Sequence, residues 1–227
     1  MASISGKPMI GHVYERVAQS PQLTMAAVAT CDREIYDYIE SIGGKAVMTA
    51  DTYERASDRC AEALLKLEQE YAIRYDIVVM VQGDEPMTHP DMITEAVQPM
   101  LDDATIQVVN LLGNISDIAE FEDRNCIKVV CDLNLNALYF SREPIPTRSK
   151  TSNVPMGKQV CIIPFRRDYL LKYTSLVPTP LEIAESVDMM RVLENGDKIR
   201  MVPTKHSTYA VDTPTDLIRV EALMRGN

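Results

Sequence analysis

The sequence predicts an α/β domain built on a mainly parallel sheet flanked by helices, and three observations carry that prediction. Short apolar runs alternate with longer amphipathic stretches along most of the chain, the order that strands joined by crossover helices require. Two helix starts, Thr179-Pro180-Leu181-Glu182 and Thr213-Pro214-Thr215-Asp216, place a hydroxyl at the N-cap, proline at the first helical position and a carboxylate three residues on. One apolar run, Val78-Val79-Met80-Val81, ends in Gln82-Gly83-Asp84-Glu85-Pro86. A buried parallel strand ending in this way delivers carboxylates to the edge of the sheet where open α/β folds bind ligands.

The elements follow in order. Apolar residues at three- and four-residue spacing predict a helix over 9–20, and an apolar run predicts a strand over 25–30. A helix over 33–42 is closed by Gly43-Gly44 before a strand over 46–49. Next come a helix over 57–71, the strand over 77–81, a helix over 90–101 and strands over 107–112, 127–131, 137–141 and 159–165. A helix over 182–194 stopped by Asn195-Gly196, a strand over 200–203 and a helix over 213–224 complete the chain. Residues 143–156, with Pro144, Pro146 and Pro155, lack periodicity and are expected to form a loop able to close over a ligand. No internal repeat or low-complexity linker divides the chain, so residues 1–227 read as one domain.

Composition excludes several classes. With 46% apolar and 25% charged residues the chain is neither disordered nor fibrous. Its 23 basic and 33 acidic residues give a charge of −10, which repels a polyphosphate backbone and argues against nucleic acid as a partner. No apolar run approaches the ~20 residues that cross a bilayer, so neither membrane insertion nor export is expected and a cytoplasmic location is. The five cysteines form no Cys-x-x-Cys pair and read as buried reduced thiols. His12, His89 and His206 have no carboxylate or serine partner at identifiable spacing and read as structural, while the 13 methionines read as core filling.

Asp84 is the first candidate for chemistry. Magnesium takes oxygen ligands, commonly one or two carboxylates together with substrate phosphates, and a sheet-edge aspartate suits it. The alternative is a solvated Gly-Asp turn. Asp212, in Val211-Asp212-Thr213-Pro214, stands at a second strand-to-helix junction. It either joins Asp84 on one metal or only supplements the helix cap, and the residues by themselves leave the two readings even.

The chain resembles the 3-deoxy-manno-octulosonate (Kdo) cytidylyltransferases, or CMP-Kdo synthetases, over nearly its whole length. The matching pieces include Gly6-Lys7-Pro8-Met9-Ile10, Val81-Gln82-Gly83-Asp84-Glu85-Pro86-Met87, Lys128-Val129-Val130, Ala137-Leu138-Tyr139-Phe140-Ser141-Arg142, Pro178-Thr179-Pro180-Leu181-Glu182, Arg191-Val192-Leu193 and Val211-Asp212-Thr213-Pro214. The resemblance implies a Rossmann-like sheet of the nucleotidyltransferase type and transfer of CMP from CTP to the anomeric hydroxyl of a 2-keto-3-deoxy sugar acid, with release of pyrophosphate, for lipopolysaccharide or surface polysaccharide synthesis. It further implies Asp84 and Asp212 as Mg²⁺ ligands, and Gln82 on the sugar acid. Arg55, Ser57 and Arg59 fall in its base-recognition segment. Ser141 and Arg142 shape the cleft. Glu182 and Glu185 border the sugar pocket, although a solvated helix face accounts for them equally well. A homodimer is implied too, with a small dimerisation lobe at about 143–165.

The chain departs from the family pattern at three places. It starts after the family's first strand and its basic, Gly-rich triphosphate loop; because that strand is central in doubly wound sheets, a groove with an unpaired edge on each side is expected. Arg55-Ala56-Ser57-Asp58-Arg59 stands where the family has Ser-Gly-Thr-Glu-Arg. Gln159 and Ile163 replace a histidine and a tyrosine of the sugar site. These departures keep open an acylneuraminate-type cytidylyltransferase, or a catalytically silent homologue acting as a binding or dimerisation subunit.

Overall fold

The computed structural model describes residues 1–151 and 154–225. A hairpin of β1 (Ser3–Ile4) and β2 (Lys7–Pro8) turns at Ser5 and Gly6, with φ of 50° and 82°, and leads into α1 (Met9–Val17). There follow β3 (Val28–Thr30), α2 (Arg33–Ser41), β4 (Ala46–Met48), α3 (Ala56–Tyr71), β5 (Ile77–Val81), α4 (Pro90–Asp102), β6 (Val109–Asn114), α5 (Ile118–Glu122), β7 (Lys128–Cys131) and β8 (Ala137–Ser141). The chain ends with β9 (Gly157–Val160), β10 (Ile162–Arg166), α6 (Arg167–Thr174), α7 (Pro180–Glu185), α8 (Met189–Glu194), β11 (Arg200–Pro203) and α9 (Pro214–Arg225). Each element expected from the sequence is present, two of them in altered form, and α5, α6 and the first hairpin are additions.

Strand β3 pairs with β4, and β6 with β11, in parallel. Strand β10 runs antiparallel to β5 and also bridges antiparallel to the start of β6 at Phe165 and Val108. Hence β5, β6 and β11 point the same way, with β10 reversed between β5 and β6. Strands β9, β7 and β8 extend β6 as an antiparallel ribbon.

The single strand expected over 159–165 is two strands. Residues 157–166 run along β6 throughout, but their other neighbour changes from β7 to β5, and Cys161 takes up the change. The Cys161 carbonyl accepts from Gln82 N–H at 3.2 Å. The helix expected over 182–194 is likewise two helices. Ser186 adopts the left-handed conformation, φ 52°, and ends α7, which lets Val187, Met189, Met190 and Val192 turn into the core. At the start of α7 the unpaired N–H groups of Leu181 and Glu182 donate to Glu194, at the end of α8, at 3.0 and 3.2 Å.

The largest buried cluster joins Met80 of β5, Phe165 of β10, Phe140 of β8 and Tyr173 of α6 to Met189, Met190 and Val192 of α8. Of the 13 methionines expected to fill the core, Met80, Met92, Met100, Met189, Met190 and Met201 do so at no more than 1% exposure, while Met1 is exposed and the others are half-buried. Against the expectation of buried thiols, Cys60, Cys126, Cys131 and Cys161 are half-buried and Cys31, in the turn between β3 and α2, is exposed. A groove of the expected kind is present. No strand pairing joins β3 to β5, and between their edges runs a cavity of about 780 Å³ lined by residues 25–30 and 75–84 and floored by Ile10, Val13 and Leu64. No helix among the described residues is long and apolar enough to cross a membrane.

Candidate active site

Strand β5 ends at Val81, and Gln82, Gly83 and Asp84 line the large cavity, as do Thr30 and Arg59. One oxygen of Asp84, Oδ1, is buried and has no hydrogen-bond partner within the protein. Burial pushes the Asp84 carboxyl above the usual range, and the charge of Asp212 pushes it further. The fold therefore brings the two junction carboxylates together. Val211 N–H donates to the Asp84 carbonyl at 2.9 Å, which stitches the two junctions to each other. Asp212 is also raised, by burial first and Asp216 second, with Arg142 opposing.

Helix α9 starts as the sequence writes it. Thr213 N–H donates to Asp216 at 2.8 Å, and Asp216 N–H returns the bond to the Thr213 hydroxyl at 3.2 Å. Because Asp216 carries that cap, Asp212 is left free for other work. Two repelling carboxylates, one with an orphaned buried oxygen, form an all-oxygen donor pair that a hard divalent cation fits.

Beside Asp84, Glu85 is 3% exposed, and burial raises its carboxyl from 4.5 to about 7. Its oxygens accept from the Thr208 hydroxyl and, at 3.5 Å, from Cys161 N–H. Glu85 forms one wall of a second cavity of about 230 Å³, whose lining includes Lys158, Gln159, Tyr209, Asp212 and Arg219. Lys158 and Arg219 both lie against the Tyr209 ring, at 4.7 and 4.0 Å from its centroid. Gln159 is oriented by its Nε2 donating to Asn110 Oδ1 at 2.7 Å.

The remaining sequence candidates divide between cavity and scaffold. Arg59 reaches the large cavity while its guanidinium donates to Thr49 Oγ1 at 2.6 Å and to the Tyr53 carbonyl at 3.1 Å. Arg55 turns away, to Asp188 at 2.9 Å, and Ser57 is fully buried in the first turn of α3. Glu182 is fully buried and receives a two-pronged bond from Arg191, at 2.6 and 2.7 Å, so a solvated face does not describe it. Glu185 receives the Ser141 hydroxyl at 3.2 Å and Arg142 N–H at 2.8 Å, while its carbonyl accepts from Arg142 Nε at 2.6 Å. Glu182 and Glu185 thus face different partners, and Glu185 aims the Ser141-Arg142 segment.

Sequence reasoning missed Lys158, Tyr209 and Arg219, which share no motif and meet only through the packing of β9, the 204–213 loop and α9. It also missed the role of Lys128. This fully buried lysine donates to the carbonyls of Asp123, Cys126 and Arg142 at 2.7, 2.6 and 2.5 Å and ties the second cavity's rim to β8.

The model of the cytidylyltransferase family matches residues 1–199. The chain is 41% identical to the 3-deoxy-manno-octulosonate cytidylyltransferase of Geobacter metallireducens, over 97% of this chain and 89% of the relative. Identity is again 41% to the enzyme of the same name from Syntrophus aciditrophicus, over 100% and 90%. A solved structure of CMP:2-keto-3-deoxy-manno-octonic acid synthetase complexed with CTP superposes with a TM-score of 0.89 at 37% identity, covering 99% of this chain and 90% of that one. The 4-diphosphocytidyl-2C-methyl-D-erythritol synthase of Anaerococcus prevotii shares the fold, with a TM-score of 0.65 at 13% identity. By full-length sequence likeness, fold and family model together, the chain belongs to the cytidylyltransferase family.

Proposed function

We propose that this protein transfers CMP from CTP to the anomeric hydroxyl of 3-deoxy-manno-octulosonate, releasing pyrophosphate, with Mg²⁺ held by Asp84 and Asp212. The convergence of these two carboxylates, 128 positions apart in the chain, carries the reading. The likeness to Kdo relatives favours that sugar acid over a nine-carbon one. In the reaction the sugar oxygen forms a bond to the α-phosphorus of CTP, the bond from that phosphorus to the bridging oxygen breaks, and the hydroxyl proton is lost. Bound magnesium supplies positive charge that offsets the charge developing on the transferring and leaving oxygens.

The chain's own residues provide position. Arg59 and Gln82 line the large cavity together with Asp84, where the nucleotide would lie. Lys158, Gln159 and Arg219 line the smaller cavity beside Asp212 and suit the carboxylate and hydroxyls of the sugar acid. Arg142, held by Glu185, lowers the Asp212 carboxyl toward its charged form. The enzyme is proposed to work in the cytoplasm as a homodimer. Residues 157–166 are taken into the chain's own sheet, which leaves 143–156 of the expected lobe for contact with a second copy, Ser152 and Asn153 lying outside the described residues.

The test is pyrophosphate release from CTP and Kdo in the presence of magnesium. Asp84→Ala and Asp212→Ala should each lower kcat by roughly 10²-fold or more with unchanged circular dichroism. Near-normal turnover of either variant at saturating magnesium would remove it from the metal site, and a preference for a nine-carbon sugar acid would overturn the substrate.

A further inference from the structure

His89 and His206, which have no partner in the sequence pattern, meet in the fold. His89 is the N-cap of α4 and its Nδ1 accepts from Asp91 N–H at 3.2 Å. The two imidazoles stack, with centroids 4.2 Å apart and planes 11° from parallel. His206 Nε2 stands 3.8 Å from the Asp91 carboxylate and 3.9 Å from Glu95, both too long for hydrogen bonds. His206 Nε2 and Glu95 Oε2 are buried and have no hydrogen-bond partner in the protein. A ring nitrogen and a carboxylate oxygen withdrawn from water without partners are costly.

We propose that His89, Asp91 and His206, with Glu95 as a fourth donor, bind a divalent transition-metal ion of the zinc and cobalt class. One ligand atom from each of the first three residues lies within 4.8 Å of the others. In a tetrahedral site with bonds of about 2.0–2.2 Å the ligands sit about 3.3 Å apart and the ion lies in the plane of each imidazole, so His206 must rotate out of the stack on His89 to close the set. Imidazole nitrogens select zinc, cobalt or nickel over magnesium, which separates this site from the all-oxygen pair at Asp84 and Asp212. Its consequence is positional. His89, Asp91 and Glu95 belong to the first turns of α4, whereas His206 opens the loop that carries Thr208, Tyr209 and Asp212. A metal there would clamp that loop to the helix and order the second cavity's wall.

The experiment uses the full chain freed of metal by a chelator and titrated with Co²⁺ and Zn²⁺. With excess Mg²⁺ present to occupy Asp84 and Asp212, one equivalent should bind, cobalt giving the visible absorption of a tetrahedral nitrogen and oxygen site without a thiolate band. Amide exchange in 206–212 should slow when Zn²⁺ is present. His206→Asn and His89→Asn should each weaken binding at least tenfold, the second keeping an N-cap side chain so that α4 stays intact. Asp84→Ala should bind zinc as the parent does. Absence of stoichiometric binding, a thiolate band, or affinity unchanged in both histidine variants would overturn the proposal; should His206→Asn fail to fold, Asp91→Asn decides by the same criteria.

Discussion

Asp84 and Glu85 are neighbours with opposite surroundings. Asp84 Oδ1 has no partner in the protein, whereas both Glu85 oxygens are bonded and the side chain is closed off from solvent. Burial and the adjacent Asp84 hold the Glu85 carboxyl at about 7 against 4.5, despite the opposing pull of Thr208 and Lys158. The native state therefore binds this proton more tightly than the unfolded chain does. Stability should fall as pH rises from about 4.5 through about 7 and level off above, a change of at most about 3 kcal/mol from this group. Glu85→Gln should flatten that part of the profile, measured by urea denaturation at stepped pH; an unaltered slope in the variant would mean that Glu85 is already ionised in the fold. Asp84 makes a related case. Its charge is held against burial and against Asp212, so Asp84→Asn should raise the thermal midpoint in metal-free buffer while removing activity, the exchange of stability for function that a strained site entails.

At the scale of elements, α7 and α8 show what periodicity conveys and what it omits. Apolar spacing located the helical stretch and the Thr-Pro-x-Glu start, but the break at Ser186 has no glycine or proline to announce it. It follows from tertiary demands: the Glu185 and Ser186 carbonyls must be free to accept from Arg142, at 2.6 and 3.3 Å, and Val187 must be buried. The split at Cys161 has the same origin, since only the identity of the outer neighbour, β7 or β5, decides it. The acids at the ends of β5 and at Asp212 were legible because strand-to-helix junctions have local signatures. Lys158 and Arg219 were not, because their meeting depends on where α9 packs. Glu182 illustrates the difference in energetic terms. With Arg191 it forms a buried ion pair, and removing one partner from such a pair costs about 3–5 kcal/mol. Glu182→Ala should destabilise the protein by about that much, with a KM for the sugar acid close to the parent's at a temperature where the variant is folded. A large rise in KM with little loss of stability would instead return Glu182 to the sugar pocket.

For the whole molecule, the cavity between β3 and β5 divides the structure into parts of unequal strength. On one side β5, β10, β6 and β11 share strand pairings and the large cluster that runs from Met80 through Phe165 to Met190. On the other, β3 and β4 pair only with each other among the described residues, over three residues each, and their buried apolar support is the small set of Ala46 and Val47 with Ile39 of α2 and Ala63 and Leu67 of α3. Local opening is governed by how much buried apolar surface and how many strand hydrogen bonds a unit must give up, and the β3–β4 unit has little of either. Its edge toward the cavity also lacks a strand partner. Native-state hydrogen exchange should therefore show the amides of 28–30 and 46–48 opening at a free energy well below that of 78–81 and 109–112, and mild denaturant should release the first group before the second. Because Thr30 and Arg59 line the same cavity as Asp84, saturating CTP with magnesium should bring the two groups closer together by tying the β3 side to the end of β5. If 28–30 proved as protected as 109–112 in the absence of nucleotide, the two sides would be one cooperative unit and the cavity would not be the molecule's line of weakness.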